Sequence, residues 1–329
     1  MVLRSMPSPA WLNPDAPHGE IVISSRVRYA RNLVGYCFPH HGSPEDLREV
    51  LRLSREASSR AGLPLVLQDK LTEAERDFLL GSRLISPEFR HRDPGRAILL
   101  DSSRTVSVMI NEEDHLRLQA LTAGWSIKTA QQAADHVLTA FGDQLDFMRT
   151  TELGFLTASP TNLGKGRRRS ALFHLIGLAH TKRLMSVLQA LAAWGLTARG
   201  LFGESSRAVG AFFQVSATTA TLPEFIGATE YLLGEERQAR REVTRLELQD
   251  RTEQAVEFAI SSVEISLADA LRVLGWVRWA SSVGMPLMPP SYRDVDAVIS
   301  TMEVHGTQNA NIAARHRASF LRARLEAHR

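Results

Sequence analysis

Three consecutive carboxylates at the centre of an apolar stretch are the residues in this chain best suited to meet a cation. Glu112, Glu113 and Asp114 are followed closely by His115 and Arg117. Acids this close repel one another unless a positively charged group approaches them. The residue types and their spacing therefore indicate a site for a cationic partner.

The segment around these acids is compatible with two local structures. Residues 106–110 and 116–120 each alternate apolar with smaller or polar side chains, which predicts two strands of a hairpin with the acids at its tip. The alternative is a helix start, with Asn111 as N-cap and the acids complementing the helix dipole. The hairpin is favoured because cationic partners for the acids recur along the chain.

A second chemical feature is a basic turn near the middle of the chain. Residues 153–170 predict a strand that runs into a turn with four cations, followed by a helix beginning near Ser170. Gly164 and Gly166 would let backbone N–H groups approach an anion, and a helix start would add donors. A solvated basic turn is the alternative. Further on, residues 196–204 predict a strand and loop that deliver Arg199 and Glu204.

Composition limits the class of protein and its compartment. The 329 residues are 44% hydrophobic, and no apolar run reaches membrane-spanning length. The N-terminus lacks the apolar core of a secretory signal, and the single Cys37 excludes internal disulfides and a cysteine metal cage. We expect a cytoplasmic protein without membrane association. The net charge of +3 is small, so no direct nucleic-acid partner is expected.

The remaining patterns predict the elements that position these groups. A strand is predicted for residues 20–28 and two helices for 43–62 and 72–85; a strand at 97–100, a helix at 126–141 and a strand at 208–217 follow. Helical patterns then run over 223–262, 266–283, 290–305 and 308–328. We predict a mixed α+β catalytic domain over 1–222 and a helical domain for dimerisation or partner binding over 223–329, with the 223–262 helix crossing the join.

Four segments resemble signature segments of the ATP:guanidino phosphotransferases, the phosphagen kinase superfamily: residues 24–28, 111–117, 160–164 and 199–204. The order of these motifs, the absence of the family's usual helical N-terminal domain and the helical C-terminus are similar to its bacterial branch, the protein-arginine kinases. The resemblance runs from about Trp11 through the helical tail. It implies an α+β fold of the guanidino kinase or glutamine synthetase-like kind, with an antiparallel sheet flanked by helices and Mg-ATP laid across the sheet.

The resemblance also implies the roles of individual residues. The family's five phosphate-binding arginines fall on Arg26, Arg28, Arg117, Arg168 and Arg199, and its two carboxylates that grip the substrate guanidinium fall on Glu113 and Glu204. Arginines offset the charge of a triphosphate with fixed, planar donors, aided by Mg²⁺ held through the nucleotide phosphates. Paired carboxylates orient a guanidinium and take a proton as the N–P bond forms, with Glu113 the favoured base.

Several positions depart from the family pattern. Ser159 stands where the family has a reactive cysteine, so a thiolate charge is replaced by a hydroxyl. Lys165, Arg167 and Arg169 are expected to add cations beside the phosphate site, and Arg207, in place of an acid, is expected to repel a cationic substrate.

The C-terminal segment departs as well. In protein-arginine kinases a segment of this region forms an allosteric phosphoarginine pocket. Residues 313–318 keep only the last two residues of that pattern. A solvated helix face is the preferred interpretation of this tail.

Two functions from different classes follow. The favoured one is a kinase that uses Mg-ATP to phosphorylate exposed arginine side chains of proteins, since only about twenty residues precede the first motif and nothing obviously encloses a small substrate. The other is a nucleotide-binding pseudokinase that acts as an adaptor, which Ser159 and Arg207 favour. By resemblance we expect a homodimer, a role in the stress response, and a heat-shock repressor or Clp-type unfoldase as partners.

Overall fold

The computed structural model describes residues 8–90, 95–201, 209–302 and 309–328. Within this part, eight strands form one sheet in the order β2-β3-β4-β5-β1-β8-β10-β9, and two short strands, β6 and β7, pair separately. The strands are β1 (Val22–Arg31), β2 (Leu65–Leu67), β3 (Ala97–Leu100), β4 (Val106–Ile110), β5 (Leu116–Ala123), β6 (Arg149–Thr150), β7 (Gly154–Phe155), β8 (Arg167–His174), β9 (Thr197–Gly200) and β10 (Phe212–Ala217).

Helices flank this antiparallel sheet, as predicted. Within the described ranges they are α1 (Pro44–Arg60), α2 (Glu73–Gly81), α3 (Ile127–Gly142), α4 (Ile176–His180), α5 (Leu184–Ala193), α6 (Leu222–Glu242), α7 (Arg245–Ser261), α8 (Leu267–Ser282), α9 (Tyr292–Thr301) and α10 (Ala310–Glu326). None of the helices in the described residues has the length and apolar content needed to span a bilayer.

The predicted hairpin is confirmed. β4 pairs antiparallel with β5, with Val108 opposite Leu118 and Ile110 opposite Leu116. The helix start at Asn111 is therefore wrong: the residue has φ 56°, a left-handed conformation that asparagine tolerates and a helix N-cap does not use. The predicted helix starts at Ser43 and Thr72 are also confirmed, since both side chains form capping boxes.

Two of the predicted helices differ from those in the structure. Ser170 does not begin a helix, because it lies inside β8 between β1 and β10. The single helix predicted over 223–262 is broken between α6 and α7. Val243 adopts an extended conformation there, and the Thr244 side chain caps α7 by accepting from the Glu247 N–H. A threonine inside a helical pattern is a natural N-cap.

Contacts group the described residues into two compact units. The first comprises residues up to 11, 25–122 and 126–170; the second comprises 12–24, 123–125 and 171 onwards. The predicted domain boundary between residues 222 and 223 stays a prediction. The regular elements after residue 221 are all helical within the described ranges.

In the first unit, α3 packs on one face of the sheet. The Tyr29 hydroxyl of β1 donates to Asp135 of α3 at 2.5 Å, and the Arg169 Nε of β8 donates to Gln131 of the same helix at 3.1 Å. Side chains alternate between faces along a strand. Residues adjacent to Tyr29 and Arg169 in sequence therefore project from the opposite face.

In the second unit, a buried ionic cluster joins helices to the chain near residue 20. Asp296 of α9 accepts from Arg278 at 2.7 Å and from Arg293 at 3.1 Å. Arg278 also donates to the backbone carbonyls of Gly19 and Glu20 at 2.7 and 2.8 Å. Buried charges are tolerated when paired and hydrogen-bonded in this way.

Candidate active site

Four arginines from three strands share the sheet face opposite α3. They are Arg26 and Arg28 of β1, Arg117 of β5 and Arg168 of β8. The Arg26 Nε lies 3.4 Å from the Ser170 Oγ on the neighbouring strand, which places the even-numbered residues of β1 and β8 on the same face. Alternation along each strand explains why residues two apart reach one surface. The structure thus brings together four of the five predicted phosphate-binding arginines.

Burial within this cluster lowers the proton affinity of Arg26 and Arg28. Burial, and then the charges of Arg28, Arg83, Arg117 and Arg168, hold the pKa of Arg26 well below its ordinary value. The pKa of Arg28 is lowered by burial and by charges of the same group. Guanidinium groups remain charged even so, because their ordinary pKa exceeds about 12. The face therefore holds closely spaced positive charges that an anionic ligand would stabilise.

Arg83 is a member of this cluster that sequence analysis missed. It follows the C-terminal end of α2 with φ 62°. The Gln119 Nε2 of β5 donates to the Arg83 carbonyl at 2.9 Å, which anchors the residue over the strand that carries Arg117. No motif marks Arg83 in the sequence. The feature that could have drawn attention to it is an isolated arginine directly after a helix end.

Glu112 is buried against Arg117 and holds it in place. Two hydrogen bonds of 2.8 and 2.7 Å join the Arg117 Nη1 to the two carboxylate oxygens, and the Ser86 hydroxyl donates to Glu112 at 2.5 Å. Burial raises the pKa of Glu112, but the charge of Arg117 and these hydrogen bonds lower it further, so the net shift is downward. Glu112 is therefore an ionised positioning group.

Glu113 has the opposite environment. The residue is half-buried, and its carboxylate makes no hydrogen bond or ion pair with another described residue. Burial, and then the charge of Asp114, raise the pKa of Glu113, while Arg117 opposes this shift. A carboxylate that is not neutralised and has a raised pKa can attract a cation and accept its proton.

The hairpin tip that presents Glu113 is fixed by buried polar contacts. Asp114 Oδ1 accepts from the Asn32 side-chain amide at 2.6 Å and from the Ala158 N–H at 2.8 Å. His115 Nδ1 accepts from the Leu33 N–H at 3.0 Å, and its Nε2 lies 2.8 Å from the Cys37 carbonyl. Burial lowers the pKa of His115, so a neutral ring with its proton on Nε2 satisfies both contacts. These residues are structural supports for the tip.

Ser159 follows directly after Ala158, so Asp114 ties its loop to the hairpin. The Ser159 hydroxyl lies 2.8 Å from the Thr161 hydroxyl, and its carbonyl accepts from Thr157 at 2.9 Å. The side chain is half-buried and belongs to the same compact unit as Glu113.

The predicted approach of the Gly164 N–H to an anion is wrong. The Gly164 N–H donates to the Leu153 carbonyl at 2.9 Å and is not available to a ligand. A Cβ at Gly166 would lie 2.4 Å from the Arg31 Nη1, so this glycine accommodates a close protein contact. The guanidinium of Arg31 also lies 3.6 Å from the centre of the Phe155 ring. The turn packs against β1 and β7.

Not all of the extra cations of this turn lie on the sheet face that carries Arg26, Arg28, Arg117 and Arg168. Arg169 is buried against α3, and Arg167 lies on the same side of the strand and interacts with Tyr29. Lys165 is exposed. The expectation that Arg167 and Arg169 lie beside the phosphate site is therefore wrong, because an odd-numbered residue of β8 points away from Arg168.

Of the remaining predicted residues, Arg199 belongs to the second unit. Arg199 is exposed on β9, with Gln214 of β10 opposite it. Glu204 and Arg207 lie outside the described residues. Among the described residues, no group of three His, Cys, Asp or Glu side chains is placed to hold a metal ion.

Solved guanidino kinases share this fold. A lombricine kinase superposes with a TM-score of 0.60 at 24% identity, covering 73% of this chain and 74% of its own. A taurocyamine kinase from Schistosoma mansoni, with bound transition-state-analogue components, gives a TM-score of 0.59 at 24% identity, covering 70% of this chain and 35% of its own. The predicted fold class is confirmed.

Sequence comparison adds the family. The family model for the C-terminal catalytic domain of ATP:guanido phosphotransferases matches residues 48–236, and the chain belongs to this family. A protein-arginine kinase of Halothermothrix orenii is 35% identical over 84% of this chain and 82% of its own length. Another, of Symbiobacterium thermophilum, is 33% identical over 96% of both chains. The resemblance drawn from the motifs is confirmed.

Proposed function

We propose that this protein transfers the γ-phosphoryl group of ATP to a guanidinium nitrogen of arginine side chains in other proteins. The observation that carries the proposal is the arginine face of Arg26, Arg28, Arg117 and Arg168 beside the carboxylate hairpin that presents Glu113. The arginines fit a polyanionic nucleotide, and Glu113 fits a cationic acceptor. The names of the relatives support arginine in a protein as that acceptor.

The arginine face accounts for nucleotide binding. Bidentate and charge-assisted hydrogen bonds from guanidinium groups orient the phosphates and offset their charge. Charge offset matters most in phosphoryl transfer, where the protein contributes chiefly position and electrostatics. Glu112 keeps Arg117 in its orientation through two hydrogen bonds. Mg²⁺, held through the nucleotide phosphates, would neutralise further charge on the transferring group.

Glu113 accounts for activation of the acceptor. An arginine guanidinium has an ordinary pKa above about 12 and does not lose a proton freely. Glu113 orients the guanidinium and accepts its proton as the N–P bond forms and the bond between the γ-phosphorus and the bridging oxygen of ADP breaks. The raised pKa of Glu113 makes it a stronger base than an ordinary carboxylate.

Three further assignments rest on motif position. Arg199 would add a fifth guanidinium to the nucleotide site, and Glu204 would be the second carboxylate on the acceptor. Ser159 would stand beside the acceptor with a hydroxyl where a thiolate is usual. A homodimer, a cytoplasmic location, a stress-response role and partners of the heat-shock repressor or Clp unfoldase type belong to the same proposal.

Phosphoarginine-specific mass spectrometry tests the proposed activity. Purified protein, Mg-ATP and unfolded casein are incubated at neutral or alkaline pH, because phosphoarginine is labile in acid. We expect phosphate on arginine side chains of casein. ATP binding without phosphoarginine would support the pseudokinase adaptor instead, and phosphate on serine or threonine alone would contradict the assigned acceptor.

A further inference from the structure

The outer edge of the sheet in the first unit has a strand with one neighbour among the described residues. β2 pairs only with β3, antiparallel, with Leu65 opposite Leu99, Val66 opposite Ile98 and Leu67 opposite Ala97. An edge strand of this kind has main-chain groups that can pair with another chain. The register decides which groups these are.

The hydrogen bonds at both ends of β2 fix that register. The Leu100 N–H donates to the Pro64 carbonyl at 3.3 Å, and the Gln68 N–H donates to the Arg96 carbonyl at 3.1 Å. Hydrogen-bonded pairs alternate with non-bonded pairs in an antiparallel ladder. The main-chain N–H and carbonyl of Val66 therefore point toward β3. The N–H groups of Leu65 and Leu67 and the carbonyl of Leu65 point away from β3 and have no described hydrogen-bond partner.

The residues of β2 line a groove between this strand and the end of α1. The groove has a volume of about 760 Å³ and is bordered by Ser58 and Gly62 on the helix side and by residues 65–67 on the strand side. Its strand-side wall is the exposed edge of β2, and an extended peptide can add a strand to such an edge.

Cations border the same groove. Arg55 of α1 is exposed and makes no ion pair with a described residue, and Lys70 beyond β2 is exposed with a single acid, Asp69, 3.8 Å away. On the same helix, Arg48 and Arg52 are paired with glutamates. An acidic peptide complements this border, and a basic one does not.

We propose that the β2 edge binds an extended, acidic segment of the protein substrate by strand addition. The substrate arginine would lie elsewhere on the same substrate chain and reach the arginine face. Three strand spacings, about 14 Å, separate β2 from β5 across the sheet. The assignment of a substrate segment to this site rests on the proposed function. The existence of a peptide-binding site at the β2 edge does not depend on that function.

Direct binding tests the main-chain part of this proposal. The probe is a fluorescein-labelled seven-residue peptide of alternating valine and glutamate, measured by fluorescence anisotropy without nucleotide. Leu67→Pro removes one outward N–H; the native φ of −68° accommodates proline, and no described hydrogen bond is lost. Leu67→Ala is the matched control, because it shortens the side chain and keeps the N–H.

We expect Leu67→Pro to weaken binding of this peptide at least about tenfold, and Leu67→Ala to change it less than about threefold. Arg55→Gln should weaken binding, whereas Arg48→Gln, on the same helix, should not. A peptide with N-methylated valines should bind no better to the wild type than to Leu67→Pro. Equal affinity of wild type and Leu67→Pro, or equal affinity for a valine–lysine peptide, would overturn the proposal.

A kinetic measurement separates this site from the proposed activity. The same peptide is joined through a flexible linker of about ten residues to an arginine, and its phosphorylation is followed. Leu67→Pro should raise KM for this substrate with little change in kcat. Peptide binding without any phosphorylation would contradict the proposed function alone. Phosphorylation with an unchanged KM, or a change in oligomeric state of Leu67→Pro by analytical ultracentrifugation, would contradict strand addition by substrate.

Discussion

Glu112 and Glu113 are neighbours in the chain and have opposite electrostatic environments. The Arg117 partner and the Ser86 hydrogen bond lower the pKa of Glu112 against the effect of burial. Burial and the Asp114 charge raise the pKa of Glu113. An acid whose pKa is lower in the folded than in the unfolded protein stabilises the fold at pH values above its unfolded pKa. An acid whose pKa is raised on folding destabilises the fold at those pH values.

The two carboxylates should therefore differ in their contribution to stability. Glu112→Gln should lower the free energy of unfolding at pH 7 by about 1.5–3 kcal/mol, the range for hydrogen bonds to charged groups. Glu113→Gln should leave it unchanged or raise it by up to about 0.5 kcal/mol. Urea unfolding measures both. The Glu112 effect should diminish as the pH falls below about 4.3, where the unfolded carboxyl is protonated.

The proposed place of Ser159 beside the acceptor guanidinium can be tested by restoring the sulfur. Ser159→Cys should raise the rate of phosphoarginine formation about tenfold, which needs only about 1.4 kcal/mol of added transition-state stabilisation. A thiolate there would be favoured by the substrate cation and nearby arginines. Ser159→Ala is the control for loss of the hydroxyl. A rate unchanged in Ser159→Cys would show that the sulfur position does not limit transfer.

At the scale of elements, strand β8 places two adjacent arginines on opposite faces of the sheet. Arg168 projects toward the arginine face and Arg169 toward α3. Arg168→Ala should weaken ATP binding by about 1.5–3 kcal/mol, which is roughly 10- to 150-fold in Kd. Arg169→Ala should leave the ATP Kd within about threefold of wild type and lower thermal stability, because it leaves Gln131 without its donor. Calorimetry with both variants distinguishes the faces.

Elements marked by local sequence patterns were predicted correctly, and those decided by distant pairing were not. Alternation in the hairpin and the capping boxes at Ser43 and Thr72 are local patterns, and they located β4, β5, α1 and α2 correctly. A helix was predicted to begin near Ser170, inside β8, because the four successive polar residues 167–170 hide the alternation of a strand. Its partners β1 and β10 are distant in sequence, so the pairing that decides its structure is not visible locally. Arg83 was missed for the same reason, because the other arginines of the cluster are distant from it in sequence.

At the scale of the whole molecule, the second unit carries a buried histidine that makes its stability depend on pH. His174 stacks on Phe212 at 4.8 Å between ring centres. Burial, and then the charges of Arg278 and Arg240, hold the pKa of His174 well below its ordinary value. The neutral ring therefore stabilises the fold above the unfolded pKa of about 6.5, and this contribution is lost as the pH falls.

The wild-type protein should lose thermal stability between pH 7 and pH 5.5, a window in which few carboxylates titrate. His174→Gln should show a smaller loss over the same window, since no buried group at this position then takes up a proton. Differential scanning calorimetry at the two pH values measures the difference. Equal losses in wild type and variant would contradict the assigned role of His174.

The central claim is that Glu113 accepts the proton of a guanidinium while the arginine face binds ATP. The most direct test is single-turnover formation of phosphoarginine by Glu113→Gln, with the ATP Kd measured on the same preparation. We expect a transfer rate lower by about 100-fold or more with an ATP Kd close to wild type. A variant that transfers phosphate at the wild-type rate would contradict it.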